Sequence, residues 1–161
     1  MDAGSYPISL ARMIAGQRPV RVHAMAQMAE TGVDRTVAGS IEFAGGLLAQ
    51  ISCSFATARH RRALIVGDAG LIETTYFNDT SPTMPPTIVV RRGVGYESPR
   101  ESIECAATAG FLAEAEAFHD LVRDGWDRWP GATPEESIDI MLTIDAFAAS
   151  IRSGASVAVG R

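Results

Sequence analysis

The run from Val37 to Phe55, VAGSIEFAGGLLAQISCSF, decides the fold. Two extended arms, 37–43 and 47–55, flank Ala44-Gly45-Gly46, and a glycine pair between such runs marks a hairpin because the turn needs positive φ. The second arm alternates Leu47, Ala49, Ile51, Cys53 and Phe55 against Leu48, Gln50, Ser52 and Ser54. Alternate side chains of a strand point to opposite faces, so one face of this sheet is apolar and the other mixed. Such asymmetry belongs to an antiparallel sheet covered by helices on one side only.

Working outward, the stretch after Pro19 also has a period of two. Val20, Val22, Ala24, Ala26 and Met28 fall on one face, with Arg21, His23, Met25 and Gln27 on the other. A short helix precedes it, because Tyr6, Leu10 and Met13 sit at i, i+4 and i+7 before Gly16. Downstream, 61–66 and 71–75 flank Gly67-Asp68-Ala69-Gly70 as a second hairpin. Residues 78–86 hold three of the eight prolines and read as a surface loop, after which 87–92 and 96–105 are extended. Phe111, Ala115, Phe118 and Val122 then mark a helix that stops at Gly125. The last helix has Thr133 as N-cap, Pro134 at its first position and Glu136 closing a capping box. Its apolar face is Ile140, Ile144, Phe147 and Ile151, its stop is Gly154, and 157–159 form a final short strand. The predicted class is α+β: a mainly antiparallel sheet with helices packed on one face and the outer face available for oligomerisation.

Composition narrows the chemistry. The chain has 161 residues and a net charge of -5, one ordinary domain in size. All 14 basic residues are Arg, and without Lys there is no Schiff-base chemistry, no phosphate-loop Lys and no Lys general base. The acidic balance argues against nucleic acid as a partner. Cys53 and Cys105 form no CxxC pair or disulfide framework, which points to a reducing, cytoplasmic location. No run approaches a membrane span, and Asp2 stands where a signal peptide would be basic.

Four clusters are candidates for chemistry. Gly93-Val94-Gly95 has no third glycine and no helix behind it, so it reads as a turn rather than a dinucleotide fingerprint. Glu116 and His119 form an ExxH on one helix, but a metal site of that kind needs a second copy that the last helix lacks. Arg59, His60, Arg61 and Arg62 read as a solvated turn, a charged guard on an edge strand, or a contact for an anionic ligand. Asp2 and Tyr6 lie four residues apart across Gly4. They read either as a helix cap and a packed ring, or as a carboxylate and phenol on one face. A phenol of pKa near 10 is a weak acid or base at neutral pH, and a carboxylate beside it needs a cation for the pair to work.

The segment Met1-Asp2-Ala3-Gly4-Ser5-Tyr6-Pro7 resembles the DxGxH or DxGxY motif of the glucose-fructose oxidoreductase, inositol dehydrogenase and rhizopine-catabolism (Gfo/Idh/MocA) family. Similar pieces follow in the family's order: Glu30 to Asp34, Ile41 to Phe43, Gly46 to Phe55, Ile65 to Glu73, the Phe111 to Phe118 helix, and Ile144-Asp145-Ala146 ahead of Gly154. Tyr in the His position is similar to the dihydrodiol dehydrogenase and glucose-fructose oxidoreductase branches. The resemblance implies that residues 1–161 are a single C-terminal domain for substrate binding and oligomerisation, with the Rossmann domain absent from this chain. It implies an oxidoreductase that uses NAD or NADP in the full-length enzyme, acting on a CH-OH group of a sugar, cyclitol or diol. Asp2 would orient or polarise, and Tyr6 would hydrogen-bond the reacting hydroxyl or relay its proton beside a Glu-Lys-Pro lysine. This chain contains neither GxGxxG nor that lysine, so alone it is expected to be inactive and to bind no cofactor tightly. The alternative is a stand-alone, non-catalytic ligand-binding or assembly module. The resemblance further implies a homo-oligomer formed through the sheet, with an open strand edge covered by a partner chain. No metal is expected.

Overall fold

A computed structural model describes residues 1–75, 86–106 and 109–160. The elements are α1 (Ser5–Ala15), β1 (Pro19–Met28), β2 (Asp34–Phe43), β3 (Leu48–Ser54), β4 (Arg62–Gly67), β5 (Gly70–Thr75), β6 (Thr87–Arg92), β7 (Arg100–Glu104), α2 (Gly110–Asp124), α3 (Pro134–Ser153) and β8 (Val157–Ala158). The α+β class and the antiparallel pairing are as expected. The strands divide, however, into two four-stranded sheets, ordered β3-β2-β1-β8 and β4-β5-β6-β7. The chain forms two compact units, residues 1–58 with 132–161, and residues 59–131. Of the expected 78–86 loop, only Pro86 lies among the described residues.

In the first unit the hairpin works as its glycines require. Gly46 takes φ +85°, its amide donates to the Phe43 carbonyl at 2.9 Å, and the Phe43 amide donates to Leu47 at 3.0 Å. Register then places Val22, Ile41 and Ala49 in one row, and Ala24, Gly39 and Ile51 in the next. These rows face the helices. Val22, Ala24, Val37, Ile41, Phe43 and Ile51 are buried there with Ile8 and Ala11 of α1 and Ala146 and Phe147 of α3. Burial of each large apolar side chain contributes about 1.5–3 kcal/mol.

Gly39 sets the distance between helix and sheet. A Cβ at that position would lie 2.6 Å from the Phe147 ring and 2.6 Å from the His23 carbonyl oxygen. The Phe147 side chain therefore occupies the space that a side chain on β2 would take, and it has no accessible surface.

The last helix begins as expected: Glu136 N–H donates to Thr133 Oγ1 at 3.2 Å, and Thr133 N–H donates to Glu136 Oε2 at 2.9 Å. Its fully buried stripe is different, running through Asp139, Thr143, Ala146, Phe147 and Ser150, while Ile140, Ile144 and Ile151 pack beside it, partly buried. The polar members are satisfied locally. Thr143 donates to the Asp139 carbonyl at 2.6 Å, and Ser150 Oγ accepts from Ala24 N–H at 2.9 Å while donating to Ala155 O at 2.6 Å. Ser150 thus closes the β1 edge where β8, which pairs only Arg21 and Val22, ends.

The second unit is an antiparallel meander followed by α2. Gly67-Asp68-Ala69-Gly70 forms the expected tight turn, and β6 and β7 are joined through Gly93 at φ +96°. None of the described residues of this unit is fully buried. The expected apolar face of α2 is present but exposed: Phe111 at 74%, Phe118 at 58% and Val122 at 72%.

Replacing Gly39 by Ala is expected to force Phe147 or the β1 backbone to move, costing about 1–3 kcal/mol. Ser40→Ala, on the opposite face, should cost little. Urea unfolding followed by circular dichroism compares the two, and equal midpoints would contradict the contact.

Candidate functional site

The candidate site opens α1. Gly4 is the N-cap and is itself in the right-handed helical region, at φ -74° and ψ -20°, with no side-chain capping bond. The residue before the helix is therefore not extended, so no carboxylate is aimed at the first amides, and Asp2 is not the cap. Its main-chain carbonyl instead accepts from the Ser5 amide at 3.2 Å and the Ser5 hydroxyl at 2.7 Å. This turn runs into the helix and keeps residues 2 and 6 about one turn apart. Asp2 is exposed and Tyr6 is 50% exposed, so Tyr6 is not a packed core ring. Gly4 lies against the Met1 side chain, which a Cβ would meet at 2.6 Å.

The other end of α1 is fastened to α3 by charge. Arg12 Nη1 lies 3.1 Å from Glu136 Oε1, and its Nη2 lies 3.3 Å from Asp139 Oδ2. Arg18 Nε stands 3.8 Å from Asp139 Oδ1, within ion-pair range but outside hydrogen-bond range, and both atoms are buried without a hydrogen-bond partner. The Thr133 amide in the capping box holds the Glu136 carboxyl below the usual range against the opposing effect of burial, with Arg12 adding a smaller lowering effect. Sequence periodicity overlooked this cluster because it counted apolar positions only. Asp139, Thr143, Phe147 and Ser150 have helical spacing once polar residues are admitted.

The remaining candidates belong to the second unit. Glu116 and His119 are exposed on α2 beside Ala115 and Asp120. Among the described residues no group of three or more His, Cys, Asp or Glu is placed to hold a metal ion. Gly93-Val94-Gly95 connects antiparallel strands rather than a strand and a helix, so it offers no helix N-terminus to a pyrophosphate. The described residues thus do not fit a dinucleotide fingerprint. Arg62 of the basic run pairs with Glu73 at 3.0 Å. Burial, followed by nearby Asp34, pushes the Cys53 thiol up, so it remains a slow, protonated thiol at neutral pH. No helix among the described residues is long and apolar enough to cross a membrane.

The outer face of the first sheet is a second surface of interest. Its rows are Arg21–Glu42–Leu48, His23–Ser40–Gln50 and Met25–Ala38–Ser52. Small side chains in the central strand leave a shallow depression of ≈ 510 Å³, while Met25 and Leu48 are 67% and 75% exposed.

Residues 1–73, which include the Asp2–Tyr6 turn and the hairpin, match the model of the GFO/IDH/MocA C-terminal domain. Residues 1–73 belong to the Gfo/Idh/MocA family. Among curated relatives the chain is 30% identical over 158 residues to D-xylose 1-dehydrogenase (NADP(+)) 2 of Haloferax volcanii, covering 98% of this chain and 46% of that protein. It is 26% identical to the trans-1,2-dihydrobenzene-1,2-diol dehydrogenase of Sus scrofa, covering 85% of this chain and 41% of that protein. Aldose-aldose oxidoreductase from Caulobacter crescentus shares the fold at TM-score 0.78 and 18% identity, over 96% of this chain and 45% of that one. The chain spans about half the length of the relatives it matches.

Glu136, with its carboxyl held low in the folded state, stabilises the fold above the usual glutamate pKa of about 4.3. That contribution is lost as pH falls through the lowered value. Glu136→Gln is therefore expected to be less stable than wild type at pH 7 and to converge with it on acidification. Urea midpoints across a pH series check this, and a constant difference at every pH would contradict it.

Proposed function

We propose that the chain is the substrate-binding and oligomerising domain of an NAD(P)-dependent oxidoreductase acting on a CH-OH group of a sugar, cyclitol or diol. The observation that carries this reading is Tyr6, half-exposed in the first turn of α1 within a DxGxY segment, inside the region matched by the family model. The names of the relatives, a xylose dehydrogenase and a dihydrodiol dehydrogenase, support the substrate class.

In this reading the Tyr6 phenol meets the reacting hydroxyl and passes its proton, and Asp2 orients the same group. General acid–base transfer of this kind contributes about 10²–10⁴-fold. A phenol acts near neutral pH only beside a cation that favours its ionised form, and this chain has no lysine to supply one. The nicotinamide would supply the hydride chemistry when bound, and the lysine that the resembling family places beside the phenol has no counterpart among these residues. The purified chain is expected to show no turnover of D-xylose or of a trans-dihydrodiol with NAD or NADP. Detectable turnover would overturn the assignment. In a chimera with residues 1–161 replacing the matching part of the Haloferax volcanii enzyme, Tyr6→Phe should lower kcat about 10²-fold or more with little change in cofactor binding. Wild-type kinetics would return Tyr6 to a structural role.

We further propose that a second copy covers the outer face of the first sheet, with a partner chain along the β1 edge beyond Ala24, whose amide Ser150 takes. Support comes from the uncharged centre of the face and from exposed Met25 and Leu48. A twofold contact is the commonest arrangement for such a surface. Met25→Glu combined with Leu48→Glu should release monomers, read by light scattering; an unchanged mass would remove the contact.

A further inference from the structure

On the sheet formed by β4 to β7, most charged side chains have a partner on the neighbouring strand. Arg62 pairs with Glu73 at 3.0 Å, and Arg92 pairs with Glu101 at 3.8 Å. Arg91 and Arg100 differ, because they face each other directly across β6 and β7. Side chains opposed in this way share a sheet face, with Cβ atoms about 5 Å apart, and like charges so placed are destabilising. Among the described residues neither arginine forms an ion pair. Arg91 is only partly exposed, and its Nε is buried with no hydrogen-bond acceptor.

Among the described residues no carboxylate forms an ion pair with either arginine. Leu71 lies opposite Arg91 on β5 and Val66 lies beyond it on β4, so the third and fourth positions of the row are apolar. Glu73 is diagonal to Arg91 on the same face, but its Oε1 is engaged by Arg62. One alternate position along β7, opposite Val89, stands Ser102 with a hydroxyl to donate. Two guanidinium forks, which can only donate, and a hydroxyl that can donate lie on one face, with Glu104 a further alternate position along β7 beyond Ser102. Arginine forks match the oxygens of a phosphoryl group in pairs, and such charge-assisted bonds are about twice as strong as neutral ones.

We propose that Arg91 and Arg100 bind a phosphoryl dianion on this face, either inorganic phosphate or a phosphate monoester, with Ser102 as an additional donor. The anion removes the repulsion between the two guanidinium groups and gives the Arg91 Nε–H an acceptor.

Isothermal titration calorimetry with inorganic phosphate, and separately with glucose 6-phosphate, tests this against sodium chloride at matched ionic strength. Wild type is expected to show saturable binding to at least one of the two. Equal affinity assigns the site to free phosphate, and tighter binding of the ester assigns it to a phosphorylated metabolite. Arg91→Gln and Arg100→Gln should each weaken binding about tenfold or more. Arg100 is on an exposed edge strand, so its variant leaves the interior untouched, and circular dichroism confirms folding of both. Arg92→Gln, on the opposite face, should bind as wild type. No saturable heat with either probe, undiminished binding by R100Q, or an equal loss in R92Q would overturn the site.

Discussion

Phe147 has no accessible surface, and it reaches that state because position 39 of the facing strand carries no side chain. This single contact fixes how closely α3 lies on the first sheet. With that distance set, Ser150, three residues along the helix from Phe147, reaches the free amide of Ala24, and Asp139, two turns before it, reaches Arg12. Protein interiors are packed too densely for the spacing to relax around a larger group at position 39. The apolar contact and the polar bonds are thus parts of one arrangement.

The candidate site depends on the same arrangement at one remove. Tyr6 is in the first turn of α1, and Arg12 near the end of that helix is held to α3 by two carboxylates. A buried ion pair is weak support for stability by itself, since desolvation offsets much of the attraction. Its value is geometric. Losing one partner would strand a buried charge, so few orientations of α1 other than the observed one are open to it. In the first turn of α1 Tyr6 is half-exposed, and the last turn of the helix is the point of attachment.

Much of the fold was legible in the sequence because local rules act on neighbouring residues. The glycine pair at 45–46, the Thr133–Glu136 capping box, the stops at Gly16 and Gly154 and the alternation along β1 each depend on a few adjacent positions, and each is present in the structure. The polar stripe of α3 was not legible. Asp139, Thr143 and Ser150 are ordinary surface residue types until Arg12, the Asp139 carbonyl and Ala24 come near. Of the two readings of Asp2, the helix cap is excluded, because capping depends on the backbone angles of the residue before the helix, and Gly4 adopts helical ones.

By itself the sequence determined the secondary structure, the antiparallel pairing, the apolar and mixed faces of the first sheet, and the family through its DxGxY segment and the order of the pieces after it. Only the tertiary structure decided that the strands form two sheets, that Phe147 is seated on Gly39, that Tyr6 is half-exposed, and that Arg91 stands opposite Arg100. The reason is one of range. Periodicity, turns and caps are set by residues a few positions apart, whereas contacts across strands and between helix and sheet join positions tens of residues distant, whose meeting is chosen by packing and charge together.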